Sequence, residues 1–239
     1  MKYQPYTVKD VKDASAQNKF TVVSCFAGGG GSSTGYRLAG ANVLLINEFV
    51  EEAIASYKAN YPDTPVLVDD IKKYKGKDFL KMAKIKPGEL DILDGSPPCS
   101  SFSMAGNRDD DWGKEKKFRE GQAEQVLDTL FFDFIDLAHK LQPKIVVAEN
   151  VKGMLIGDAK AYVLKVYEAF ENAGFYVRHW LLDASTMGVP QRRERVFFLA
   201  IRKDIADPFL EQFDMFTITP KIDMQFNEPP IPYSEIEMP

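Results

Sequence analysis

The chain contains two thiols, Cys25 and Cys99. Cys99 stands in Gly95-Ser96-Pro97-Pro98-Cys99-Ser100-Ser101-Phe102-Ser103, directly after the apolar, strand-like run Asp91-Ile92-Leu93-Asp94. Paired prolines fix the backbone, so the next side chain leaves it in a defined direction. In open parallel sheets the carboxyl ends of the strands form the ligand crevice, and a thiol held there is a candidate nucleophile. An isolated Pro-Pro-Cys reads otherwise as a small buried thiol, since free cysteine is usually buried and inert. Two further blocks favour chemistry. Ala148-Glu149-Asn150-Val151 closes the strand-like run Ile145-Val146-Val147-Ala148 and brings a carboxylate to the same sheet edge. Gln191-Arg192-Arg193-Glu194-Arg195-Val196 supplies guanidinium groups beside a later strand. A thiol, a carboxylate and a guanidinium suit nucleophilic addition with proton handling and charge relief. Taken singly, Glu149 paired structurally with an arginine and a solvated arginine run are equally good readings.

A second constellation suits a nucleotide-like ligand. Phe26-Ala27-Gly28-Gly29-Gly30-Gly31-Ser32-Ser33-Thr34-Gly35 joins the first strand to the first helix of the repeat, so backbone amides can approach a ligand at a helix amino terminus. Glu48 ends the next strand about twenty residues later, where an acidic side chain in Rossmann-like folds accepts from ribose hydroxyls. Its plainer reading is a carboxylate favoured by a helix start. Phe49 can stack on an adenine, and Asp70-Ile71 is a candidate for the adenine edge, with Asp69 as the alternative contact. Gly28-x-Gly30 leads to Ser33 and Gly29-x-Gly31 to Thr34, so the third glycine of a pyrophosphate fingerprint is missing and a dinucleotide is disfavoured.

The elements that must position these groups follow from periodicity. Strand-like runs at 21–26 and 43–46 alternate with helical segments at 33–39 and 51–60. Leu127, Leu130, Phe131, Phe134, Ala138 and Leu141 recur at helical spacing and Pro143 closes that helix; Val163, Val166, Tyr167, Phe170 and Ala173 mark another, ending at Gly174. Strands at 176–182 and 196–201 complete an α/β, Rossmann-like pattern: a mostly parallel sheet with helices on both faces. Residues 104–121 are crowded with charge, which suits a solvated surface loop or an active-site lid. Prolines punctuate the chain beyond Asp204. The expected organisation is an extension over 1–20, a cofactor-binding catalytic domain over 21–203, and an irregular tail or linker over 204–239. Val8, Val11 and Ala14 give the extension only a weak helical face.

With 239 residues, 45% of them hydrophobic and 12% aromatic, the chain can bury a substantial core. Two histidines and two cysteines leave no zinc cluster, and no metal is expected. Absent disulfide spacing, an apolar leader or a membrane-length run, the chain reads as a cytoplasmic protein with no membrane partner. The formal net charge of -5 runs against nucleic-acid binding, though a local basic face is compatible with it.

Together and in this order the blocks resemble the C5-cytosine DNA methyltransferase family. The resemblance is carried by the glycine loop at 26–35, Asn47-Glu48-Phe49, Asp70-Ile71, Pro97-Pro98-Cys99, Leu130-Phe131-Phe132-Asp133, Glu149-Asn150-Val151 and Gln191-Arg192-Arg193-Glu194-Arg195, and it covers about residues 20–203. It implies an S-adenosyl-L-methionine-dependent methyltransferase fold, with S-adenosyl-L-homocysteine as product and DNA as partner. Cofactor contacts are implied for Phe26, Ala27, Gly28, Gly30, Gly31, Glu48, Phe49, Asp70, Ile71, Pro98 and Leu130. Substrate contacts are implied for Ser96, Pro97, Ser100, Asn150, Val151 and Gln191, and catalysis for Cys99, Glu149, Arg193 and Arg195. The implied reaction adds the Cys99 thiolate to carbon 6 of a flipped cytosine, so that carbon 5 can take the methyl group. Glu149 would hold a proton at N3, and Arg195 would stabilise the O2 side.

The chain departs from the family at two points. Ser100 replaces the glutamine that commonly follows the cysteine, and neither a target-recognition region nor a closing conserved block follows the arginine motif. The expectation is therefore a shortened chain, a natural fragment, or half of a split enzyme completed by a second polypeptide, from a prokaryotic or phage-type restriction-modification setting. Rival readings are a transfer-RNA cytosine-5 methyltransferase, an NAD-dependent oxidoreductase, and a catalytically incompetent binding protein that keeps the fold.

Overall fold

A computed structural model describes residues 5–98, 129–156, 159–212 and 218–236. Its centre is a seven-stranded sheet of β1 (Phe20–Cys25), β2 (Ala41–Glu48), β3 (Val66–Val68), β4 (Ile92–Gly95), β5 (Ile145–Val151), β6 (Phe175–Asp183) and β7 (Glu194–Arg202), in the order β3-β2-β1-β4-β5-β7-β6. The pairs from β3 through β5 are parallel, and β7 runs antiparallel to both its neighbours. The reversal follows from the connections. A parallel return needs a crossover of a dozen or more residues; between Asp183 and Glu194 the chain has only a short turn, so β6 and β7 pair as a hairpin.

Among the described residues, six helices flank the sheet: α1 (Val8–Ser15), α2 (Gly31–Leu38), α3 (Glu51–Asn60), α4 (Gly76–Ala83), α5 (Leu130–Leu141) and α6 (Ala159–Asn172). Successive strand residues point to opposite faces. Val22 accordingly joins Val11, Val43, Ile46 and Tyr57 on the side of α1 and α3. Val23 and Cys25 join Phe79, Phe131, Phe134, Val166 and Phe170 on the side of α4, α5 and α6. Apolar residues are buried on both faces, the arrangement a parallel sheet requires.

The expected extension carries α1, closed at its start by a capping box in which Thr7 and Asp10 satisfy each other's backbone amides. Its one apolar anchor, Val11, is 1% exposed. Beyond Asp204 the chain has little regular structure, apart from the antiparallel pair β8 (Leu210–Gln212) and β9 (Ile218–Pro220), which lies near β6. Among the described residues, no helix is long and apolar enough to cross a membrane.

Candidate active site

The parallel register aligns the carboxyl ends of three central strands. Cys25 of β1 sits opposite Gly95 of β4, and Gly95 opposite Ala148 of β5. Phe26 and Ser96 therefore leave the sheet at the edge where Glu149, still within β5, stands. This is the edge predicted to hold both the glycine loop and the thiol segment.

At the β1 exit, Phe26 has φ 54°. A bulky residue holds this left-handed conformation at a cost of roughly 1–3 kcal/mol, which the surrounding packing must impose. The turn lays the ring beside Phe134, centroids 6.4 Å apart. Gly30 caps α2 with φ 97°, and a Cβ there would lie 2.9 Å from the Tyr57 ring. The loop thus rests directly on α3, where only glycine fits.

Glu48 is 6% exposed, and its carboxylate is held by three backbone amides. Gly28 N donates to Oε2 at 2.8 Å, and Phe49 N and Val50 N donate to Oε1 at 2.8 and 2.9 Å. A carboxylate offers about four acceptor positions, so Oε2 keeps one for a hydroxyl at the loop. Neighbouring Asn47 is buried and donates to the carbonyls of Leu67 and Asp69 at 2.9 and 2.8 Å, fixing the ends of β2 and β3 together. Asp70 accepts from Lys72 N at 3.0 Å, and Ile71 is 5% exposed. Asp69, the alternative contact, pairs with Lys73 at 2.8 Å, and that hydrogen bond lowers its carboxyl below the usual range.

On the catalytic side, the Glu149 carboxylate meets the Arg195 guanidinium, Oε1 to Nε 3.1 Å, with about a quarter of each side chain exposed. The antiparallel ladder places this pair, since Val151 sits opposite Arg195. Asn150 is 4% exposed and spends both ends of its amide: Nδ2 donates to Pro97 O at 3.0 Å, and Oδ1 accepts from Val151 N at 2.8 Å. It braces the Pro97-Pro98 segment against β5. Pro97 is buried, and Ser96 and Pro98 are half-buried.

The other predicted residues differ in exposure. Leu130 is 1% exposed and belongs to the core. Gln191 and Arg193 are exposed on the turn before β7, where Arg193 N donates to Asp183 at 3.2 Å. Ala27 is buried, while Gly28 is half-buried and Gly31 exposed on the loop. Cys99, Ser100 and the charged stretch at 104–121 lie outside the described residues. Cys25 is 1% exposed; burial, with the Asp94 charge adding to it, pushes its thiol well above the ordinary range. It stays protonated at neutral pH and is not a nucleophile.

Sequence reasoning missed Asp94. It is 6% exposed at the end of β4 and accepts from Ser24 Oγ at 2.7 Å, Ser32 Oγ at 2.9 Å and Tyr36 Oη at 3.2 Å. The available signal was a carboxylate inside an apolar strand run, with a serine at the matching position of the neighbouring strand.

Residues 20–231 match the family model described as C-5 cytosine-specific DNA methylase. The chain belongs to this family. It is 35% identical to the type II methyltransferase M.NgoPII of Neisseria gonorrhoeae over 195 residues, 80% of this chain and 51% of that relative. It is 34% identical to the type II methyltransferase M.AquIA of Picosynechococcus over 192 residues, 76% of this chain and 71% of that relative. Against M.NgoPII the chain thus spans about half the relative's length. A crystal structure of a prophage-encoded DNA modification methyltransferase from E. coli superposes with a TM-score of 0.67 at 24% identity, covering 91% of this chain and 54% of that one. This last likeness concerns the fold, which is that of the methyltransferases. The glycine loop, the Pro97-Pro98 segment and the Glu149–Arg195 pair converge on one edge of this sheet.

Proposed function

We propose that this chain is the cofactor-binding and catalytic part of a DNA cytosine-5 methyltransferase. The observation that carries the reading is the Glu149–Arg195 pair at 3.1 Å, beside a Pro97-Pro98 segment that Asn150 ties to the same strand, Cys99 being the next residue in the chain.

The glycine loop fits S-adenosyl-L-methionine. Glu48 is locked by Gly28, Phe49 and Val50 with an acceptor position left for a ribose hydroxyl, and α2 opens behind Gly30 without side-chain obstruction. Bound there, the cofactor supplies an electrophilic methyl group on a sulfonium. The residues of the chain do the rest. The Cys99 thiolate would add to carbon 6 of an extruded cytosine and open the 5,6 double bond, so that carbon 5 could take the methyl group the cofactor would supply. A base then removes the carbon-5 proton, the double bond re-forms, and the thiolate departs.

Glu149 delivers or holds the proton at N3 that makes carbon 6 electrophilic, and Arg195 sets the direction of its carboxylate while facing the O2 side. Arg193, exposed on the adjoining turn, suits a phosphate. The domain boundaries at 21 and 203 are part of the same reading. So are a bacterial or phage intracellular setting, supported by the bacterial relatives, and target recognition by protein outside these 239 residues, on the same or a second polypeptide.

The test is mass spectrometry of the chain with S-adenosyl-L-methionine and an oligonucleotide carrying 5-fluorocytosine, whose fluorine blocks the final proton removal. The expected product is a covalent, methylated adduct on Cys99. No adduct at high protein concentration refutes the chemistry, and an adduct with transfer RNA in place of DNA reassigns the substrate.

A further inference from the structure

Asp94 presents a charge where the fold has least use for one. β4 lies between β1 and β5, and the carboxylate at its end is 6% exposed. Its hydrogen-bond partners among the described residues are three hydroxyls rather than a cation: Ser24 of β1, and Ser32 and Tyr36 of α2. Burial raises its carboxyl above the ordinary range. The bonds from Ser24, Ser32 and Tyr36 pull it down, and the Glu149 charge pushes it further up. The charge of Asp94 in turn raises Cys25 and Tyr36. A carboxyl raised in the folded state holds its proton more tightly folded than unfolded. Its contribution to stability is therefore greatest below the ordinary carboxylate range and is lost as pH rises through that range to the raised value. Deprotonating Asp94 costs the folded state stability, so stability does not explain an ionisable group here.

Its location does. Ser32 and Tyr36 belong to the helix that opens from the glycine loop, and Asp94 immediately precedes the segment running to Pro98. Two more anchors hold that segment. Gly95 lies so close to α5 that a Cβ would stand 2.5 Å from Phe134 Cε2, and Asn150 holds Pro97 O at 3.0 Å. The segment is pinned on one side to the loop helix and on the other to α5 and β5. We propose that Asp94 is a positioning residue that couples the glycine loop to the segment leading to Cys99, so that a nucleoside bound at the loop sets the reactivity of the thiol. The coupling rests on the methyltransferase reading and adds a communication path to it.

Iodoacetamide labelling of the 239-residue chain, mapped by peptide mass, reads the coupling without DNA; buried Cys25 serves as the internal control. In the parent, saturating S-adenosyl-L-homocysteine is expected to change the Cys99 alkylation rate about 5-fold or more, the usual scale of coupling between sites. Asp94→Asn keeps the shape and should still bind the nucleoside by calorimetry, with the alkylation response reduced to less than about 2-fold. Ser32→Ala should reduce the same response and add little in combination with Asp94→Asn, because both cut one path. The melting temperature of Asp94→Asn at neutral pH should equal or exceed the parent's. An undiminished response in Asp94→Asn, or a fall in melting temperature parallel to the lost response, overturns the coupling. A parent chain that fails to bind the nucleoside overturns the methyltransferase reading itself.

Discussion

In the proposed reaction Glu149 manages a proton while sitting 3.1 Å from a guanidinium. The two demands are compatible, because a pair that keeps about a quarter of each side chain exposed orients the carboxylate without removing it from water. Its role can therefore be separated from the fold. Glu149→Gln is expected to leave folding and S-adenosyl-L-homocysteine affinity near those of the parent and to slow adduct formation on Cys99 by about 10²- to 10⁴-fold, the usual contribution of a positioned acid or base. Single-turnover kinetics with the 5-fluorocytosine oligonucleotide reads the rate, and an unchanged rate would leave Arg195 as the activating group. Glu149 was legible in the sequence because it ends a strand-like run in the same way that Cys99 follows one. Asp94 was not. Its meaning depends on hydroxyls from Ser24, Ser32 and Tyr36, and only the β1–β4 register and the docking of α2 bring those together.

Among the elements, β4 carries the tightest constraint. A methyl group added at Gly95 would meet Phe134 at 2.5 Å, and Phe134 itself is 0% exposed in the packing of α5. The ring has nowhere to turn, since it also faces Phe26 at the end of β1. Gly95→Ala is thus expected to cost about 1–3 kcal/mol, as overpacking of a close-packed core does. Adding Phe134→Leu should return part of that loss. Urea unfolding of the single and double variants measures both, and a Gly95→Ala chain as stable as the parent would mean that α5 can retreat from the strand. Most of the sheet and four of its flanking helices were readable from alternating apolar runs, because periods of 2 and 3.6 survive in the sequence. The antiparallel entry of β7 was not stated in that pattern, although the missing helix between residues 183 and 194 implied it. Helix α4 went unread because its eight residues span little more than two turns, too short for the i, i+4 pair Phe79 and Ala83 to stand out as a helical period.

At the scale of the whole molecule, a formal net charge of -5 must be reconciled with the polyanionic substrate proposed for the chain. The distribution of charge matters more than its sum. Lys152 and Arg195, at the catalytic edge, are partly neutralised by Glu194 and Glu149. Arg192 and Arg193 extend from the turn that precedes β7 and are exposed. In the proposed reaction they would meet the backbone flanking an extruded base, and phosphate contacts position nucleic acid without reading its sequence. The chain alone should therefore bind duplex DNA without sequence preference, with Kd of about 10⁻⁴–10⁻⁶ M at physiological salt, the range for binding carried by phosphates. Each phosphate neutralised contributes about -0.9 to the slope of log K against log salt. Replacing Arg192 and Arg193 by alanine should weaken binding equally on every sequence and flatten that slope by about 1 to 2, one increment per lost contact. Fluorescence anisotropy of a labelled duplex across a salt series measures affinity and slope in one experiment. A slope unchanged by the double substitution would move the DNA away from this edge of the sheet, leaving Glu149 and Arg195 without a path to a flipped cytosine.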